Sequence, residues 1–261
     1  MHQEEIPLSG GNSSSVVRIG NTVHRTMHRG SRTVHALLQH LESHGFTSCP
    51  RLLGIDAQGR EMLTYLPGDV GFLPYIWSDE SIGAAATLLR QYHDTTQSFV
   101  PPMDAIWPDS PPGPQPSDVV CHNDFAPYNL VFAQQKPYAL IDFDGAGPGP
   151  RIRDVAFGGY WFAPLSFSSD LTDRALGDLT TGCHRLKLFC TTYGMAPTSK
   201  LLTMVDACLD WMGTRLERGA AKGDHQCQQL IAAGHLAHWQ RERDAFRQYR
   251  RQLEGMIVAT P

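Results

Sequence analysis

The sequence predicts an α+β protein of two lobes, a small β-rich lobe followed by a larger, mostly helical one. Three observations predict it. Residues 15–66 read in the order strand, strand, helix, strand, strand; from about residue 170 to the end the pattern is helical; and short apolar pieces at 118–121, 129–132 and 138–142, separated by turns, lie between them. With 261 residues and 41% apolar content, the chain is long enough for one large core or two smaller ones. The expected boundary gives lobes 1–66 and 67–261.

Each element has a local reason. Residues 15–28 alternate apolar with polar around Gly20-Asn21, which is a hairpin signal. Within 31–44, Val34, Leu37, Leu38 and Leu41 fall at helical spacing, and Gly45 stops the run. Strands over 51–55 and 60–66 flank a turn from Asp56 to Gly59, and the second ends at Pro67-Gly68. Residues 79–95 read as a helix capped by Ser78 or Asp79. Seven of the eighteen prolines fall in 101–116, so that stretch is a long loop, because proline cannot donate to a helix or an inner strand.

Composition excludes several classes of partner. Lys and Arg total 22 against 26 Asp and Glu, and a formal charge of -4 exerts no broad pull on nucleic acid or anionic membrane. No stretch reaches the length of apolar residues that spans a bilayer, and the first residues carry Glu4 and Glu5 where a secretory signal carries Lys or Arg. The expectation is a soluble cytoplasmic protein with no nucleic-acid and no membrane partner; nothing in the sequence sets its oligomeric state. Cysteines at 49, 121, 183, 190, 208 and 227 form no C-x-x-C pair and read as buried thiols. His24/His28 and His40/His44 have the spacing of helical ligand pairs, but no Cys or carboxylate joins them at motif spacing, so they read as surface or packing residues. The arginine-rich segment 241–251 reads as a solvated helix face.

The informative stretch is 119–157, VVCHNDFAPYNLVFAQQKPYALIDFDGAGPGPRIRDVAF. Phosphoryl transfer needs cations that neutralise phosphate oxygens and a carboxylate that orients the attacking hydroxyl and takes its proton. His122-Asn123-Asp124 is followed by Asn129 at Asp-x-x-x-x-Asn spacing, and Ile141-Asp142-Phe143-Asp144 closes an apolar strand. A hairpin with Gln134 to Pro137 at its tip would set Asn129 beside Asp142. Each piece alone is weak; residue types, order, spacing and strand context together match the pattern of protein kinases.

The block resembles the H-x-D-x-x-x-x-N and I-D-[FW] segments of the aminoglycoside phosphotransferase family. LSGGN near the start, VVRIGNTVHR and CHNDFAPYNLVF are similar to the bacterial branch related to trifolitoxin immunity proteins, over about residues 8–165. The resemblance implies a protein kinase-like two-lobe fold, Asp124 as catalytic base, and Asn129 and Asp142 as Mg²⁺ ligands. Asp144 becomes a candidate second-metal or acceptor-contacting carboxylate, or a turn-stabilising one. His122 becomes a structural support, and Asp154 the late Asp that caps the catalytic loop from a helix N-terminus.

For the nucleotide, ATP or GTP, Gly10, Gly11, Asn12 and Ser13 precede a strand where small residues let backbone N–H groups approach phosphates. The hinge would use backbone groups of Thr64, Tyr65 and Leu66, with Met62 and Leu63 beside the base. Kinases hold the phosphates with a strand Lys paired to a helix Glu; this chain has neither. Arg25 matches the Lys best, Arg18 less well, and the helix reads Val34-His35-Ala36-Leu37. The expected acceptor is a small molecule, such as an aminoglycoside, or a peptide, contacting the proline-rich loop and late helices, with Trp77, Trp107, Tyr160 and Trp161 as candidate lining residues. The competing expectation is a catalytically weak kinase-like immunity or peptide-binding protein, which the Lys and Glu departures favour and the intact Asp124, Asn129 and Asp142 oppose.

Overall fold

A computed structural model gives the fold and describes residues 4–8, 16–108, 111, 117–165 and 178–258. The expected α+β arrangement is present. Strands β1 (Glu5–Pro7), β2 (Val16–Ile19), β3 (Thr22–Thr26), β4 (Leu52–Ile55) and β5 (Arg60–Thr64) form one antiparallel sheet in the order β1-β2-β3-β5-β4. Ile19 pairs with Thr22 across the Gly20-Asn21 turn, and Gly20 takes a positive φ of 58°, which a two-residue hairpin requires. β1 was not expected; three exposed residues carry too short a pattern to read. Helix α1 (Ser31–Ser43) follows β3 and buries Val34, Leu37, Leu38 and Leu41 on one face.

The chain then runs through β6 (Asp69–Val70) into helix α2 (Asp79–Thr96). Ser78 caps α2 by accepting the backbone N–H of Ser81, and Asp79 and Glu80 lie in its first turn, where acidic groups complement the helix dipole. Residues 101–108 and 111 of the proline-rich stretch carry neither helix nor strand. Strands β7 (Val119–Cys121) and β10 (Gly147–Gly149) pair antiparallel, while β8 (Leu130–Ala133) lies between β6 and β9 (Lys136–Leu140). The β8–β9 tip is tighter than predicted. Gln134 and Gln135 make the turn with φ of 50° and 63°, and Pro137 stands inside β9 opposite Phe132. An edge strand tolerates the missing proline N–H.

Helices α3 (Arg151–Phe162), α4 (Leu179–Tyr193), α5 (Ser199–Ala221), α6 (His225–Ala232) and α7 (His235–Val258) complete the described chain. α2 packs on α4 and β9, and α5 lies along α3 and α7. One core cluster runs from Leu37 and Leu41 through Tyr92, Phe125, Phe132 and Phe157 to Phe189, Leu209 and Phe246. Burying each of these side chains contributes about 1.5–3 kcal/mol. Five cysteines are buried and Cys227 is half-buried. Among the described residues no helix is long and apolar enough to cross a membrane.

Candidate active site

Strand β7 delivers His122, Asn123 and Asp124 into a loop whose backbone is held from below. Asp154, fully buried in the first turn of α3, accepts the backbone N–H groups of His122 at 2.6 Å and Asn123 at 2.8 Å. His93 of α2 donates Nε2–H to the same carboxylate at 3.0 Å, and its Nδ1 meets the Tyr193 hydroxyl at 2.7 Å. Burial opposes ionisation of Asp154, but the His93 hydrogen bond and the charges and N–H groups around it hold its carboxyl below the usual range. His93, Cys121 and Asp154 lie within 4.8 Å of one another. They read as packing around this cap, because both His93 nitrogens are engaged and the Cys121 thiol donates to the Pro150 carbonyl.

Asn123 then turns with φ 63°, and its side-chain amide donates to the Gly145 carbonyl at 2.8 Å. His122 donates to the Ile141 carbonyl at 3.0 Å, so the loop is fastened to the segment that carries Asp142 and Asp144. Asp124 emerges with both oxygens engaged: the Tyr128 hydroxyl donates to Oδ1 at 2.6 Å and Asn129 Nδ2 to Oδ2 at 2.9 Å. Burial and the Asp124 charge push Tyr128 well above its usual pKa, so it stays a protonated donor. Both Asn129 bonds to Asp124 use Nδ2, which leaves the amide oxygen as the atom that could hold a cation.

The β8–β9 hairpin brings the second carboxylate pair alongside. Ile141 N–H donates to the Asn129 carbonyl at 2.9 Å, and the next residue, Asp142, adopts φ 61°, a costly conformation for a non-glycine residue that clusters at functional sites. Phe143 anchors the turn, 2% exposed and edge-on to His122. The recess of Asp142 and the charge of Asp144 raise the Asp142 carboxyl, whereas hydrogen bonds and charge from His28 and Arg25 overcome burial and lower Asp144.

Positive charge already converges on this pair. Arg25 Nη2 donates to Asp144 at 2.7 Å, Nη1 lies 3.6 Å from Asp142, and His28 donates to Asp144 at 2.9 Å. The opposite edge of the Arg25 guanidinium bonds Glu61 of β5, fully buried, which also accepts from His35 of α1. The glutamate of α1, Glu42, meets Arg51 and not Arg25; the cation takes its carboxylate partner, Glu61, from the neighbouring strand, paired with Arg25 across β3 and β5. Burial opposes the guanidinium charge, and Asp144, Glu61 and Asp142 more than restore it, raising Arg25 above its ordinary value.

A cavity of about 960 Å³ opens above Asp124, Asn129, Asp142 and Asp144. His28 lines it, although the sequence suggested a surface or packing role. Of the four aromatic residues expected along the cleft, Trp161 lines it; Tyr160 is buried against Glu242, Trp107 packs on Phe99, and Trp77 donates to the Trp161 carbonyl. Trp211 and Trp239, on α5 and α7, line it instead. The predicted hinge segment, Thr64 to Leu66, follows at the end of β5, outside the residues that line this cavity. Thr64 and Tyr65 N–H groups donate to Arg51 and Asn21, and Arg18 stacks on the Tyr65 ring at 3.8 Å. Gly10, Gly11, Asn12 and Ser13 lie outside the described residues.

A small antiparallel sheet with one helix, joined to a helical body that presents an Asp/Asn loop beside a second carboxylate pair, defines a protein kinase-like fold. Residues 77–186 match the Phosphotransferase enzyme family. The trifolitoxin immunity protein of Rhizobium leguminosarum bv. trifolii is 34% identical over 198 residues, which cover 74% of this chain and 75% of that one. The chain belongs to this phosphotransferase family. Among solved structures, the gentamicin complex of APH(2")-IIa superposes with a TM-score of 0.59 at 15% identity, covering 98% of this chain and 93% of that one. A choline/ethanolamine kinase family protein from Mesorhizobium loti gives 0.57 at 14%, covering 95% and 93%.

Proposed function

We propose that the protein transfers the γ-phosphoryl group of ATP or GTP to a hydroxyl of a small molecule or peptide. The observation that carries this is the convergence of Asp124, Asn129, Asp142 and Asp144 on one cavity. Two carboxylates and an amide oxygen form an all-oxygen donor set suited to Mg²⁺, and the attraction of Arg25 and His28 to the same carboxylates marks the place as one that takes positive charge. Asp142 and Asn129 would hold the ion, with Asp144 as a second ligand or an acceptor contact. When bound, it would neutralise phosphate oxygens.

Asp124 orients the acceptor hydroxyl. The hydroxyl oxygen forms the new bond to the γ-phosphorus, the bond to the bridging oxygen breaks, the nucleoside diphosphate leaves with that electron pair, and the hydroxyl proton passes to Asp124. Arg25 supplies the charge that a strand lysine supplies elsewhere, and lobe 1–66 carries the nucleotide through Gly10 to Ser13 and through backbone groups of Thr64 to Leu66 other than the Thr64 and Tyr65 N–H groups, which already donate to Arg51 and Asn21. His122 and Asp154 support the loop.

Two observations favour a second reading, a weakly catalytic immunity or peptide-binding protein: the 34%-identical relative bears an immunity name, and Arg stands where the phosphate-binding lysine is expected. A thermal-shift titration with ATP and GTP, each with and without Mg²⁺, separates the two. A ligand at 100 times its Kd adds about 2.7 kcal/mol of stability, so a magnesium-dependent rise supports phosphotransfer, and no rise with either nucleotide supports the binding protein.

A further inference from the structure

Away from the carboxylates the cavity changes character. The wall formed by α3, α5 and α7 presents Trp161, Trp211 and Trp239, with Arg215 on α5 and Arg241 on α7. Among the described residues, Asp224 is the one acidic lining residue outside the Asp124, Asp142 and Asp144 group, and its Oδ1 already accepts the backbone N–H groups of Gln226 and Cys227. Arg215 is half-buried, forms no ion pair among the described residues, and extends its charge to Tyr128, the hydroxyl that donates to Asp124. Trp161 is 5% exposed, and its indole Nε1 finds no acceptor among the described residues.

A polyamine sugar needs carboxylates for its ammonium groups, and this wall would set arginines against them. An arginine on the cavity wall with no acceptor among the described residues calls for an anionic oxygen-bearing group. We infer that the acceptor is a hydroxyl compound carrying a carboxylate, held by Arg215 with its hydroxyl directed toward Asp124. The inference rests on the phosphotransfer reading. The guanidinium fork matches a carboxylate in two parallel hydrogen bonds, and the tryptophan faces take the apolar part of the molecule at little entropic cost.

Three of the five tryptophans line the cavity, so quenching of tryptophan fluorescence reads its occupancy directly. The probes are a library of N-acetylated serine-containing tripeptides with free C-terminal carboxylates, the same library amidated, and gentamicin as a polycation. The acid library should bind with a Kd at least about tenfold lower than the amidated one, the scale of one charge-assisted hydrogen bond. Arg215→Met should erase that preference, and Arg215→Lys, which keeps the charge, should retain part of it. Equal affinity for acid and amide, tighter binding of gentamicin, or no quenching by the acid library would overturn the inference. The magnesium-nucleotide shift, measured without acceptor, keeps the two failures apart. A shift without acid preference defeats this inference alone, whereas acid preference without a shift defeats the phosphotransfer reading and with it the acceptor role.

Discussion

Replacing Asp154 by Asn tests whether the His122–Asp124 loop is held by charge or by shape. The carboxylate accepts three donors, the backbone N–H groups of His122 and Asn123 and the His93 imidazole, at 2.6, 2.8 and 3.0 Å, and it is fully buried. Hydrogen bonds to a charged group contribute about 1.5–3 kcal/mol each. Asn keeps one acceptor oxygen and turns an NH₂ group toward at least one of these donors, so the loss should be about 2–4 kcal/mol, a large part of the 5–15 kcal/mol typical of a domain. The pH dependence carries a sign. The folded carboxyl titrates below its ordinary value, so its contribution is complete above the unfolded value near 3.8 and disappears as pH falls through the lower folded value. Urea unfolding of both proteins at pH 7 and in steps below pH 4 should show a gap that is full at neutral pH and narrows in acid. A gap under about 1 kcal/mol, or one independent of pH, would refute a charge-based cap.

Asp124→Ala should lower turnover by about 10²–10⁴, the range for losing a positioned general base, with nucleotide affinity largely kept; unchanged turnover would remove Asp124 from the chemistry. Asp142→Ala should abolish the effect of Mg²⁺ on nucleotide-induced thermal stabilisation, and a variant that still responds to the ion would exclude Asp142 as its ligand. Glu61→Ala removes the shared carboxylate of Arg25 and His35; since Arg25 keeps Asp144, the cost should sit near 3 kcal/mol, the low end for a broken buried pair. At roughly 2–4 °C per kcal/mol for a chain of this size, the melting temperature should fall by about 6–12 °C. A fall under about 2 °C, on the same scale, would mean that Glu61 is dispensable.

Local spacing made part of this site legible. Asp124 and Asn129 sit within one loop and Asp142 follows after a single hairpin, so residue spacing and strand polarity were enough to predict their meeting. Glu61 was not legible, because its tie to Arg25 runs across two strands 36 residues apart, and in sequence it is an ordinary polar position on a strand. His28 was hidden for a similar reason: its partner Asp144 is 116 residues away. Trp211 and Trp239 lie on long amphipathic helices, and the face turned to the cavity depends on how α5 and α7 pack, which periodicity alone does not set. The antiparallel sheet and α1 were readable because their patterns are local, while β1, β6 and β10, of three, two and three residues, are too short to leave a pattern.

The placement of Glu61 also alters how such a site can be switched. In protein kinases the cation on the strand is paired with a glutamate on the adjacent helix, so sliding that helix outward separates the pair and turns the enzyme off. Here the glutamate belongs to the same sheet as the arginine and the helix contributes only His35. Moving α1 would break the contact between His35 and Glu61 but leave the arginine seated on its carboxylate. Control by helix displacement, available to a kinase with a helix-borne glutamate, has little leverage on Arg25 in this chain.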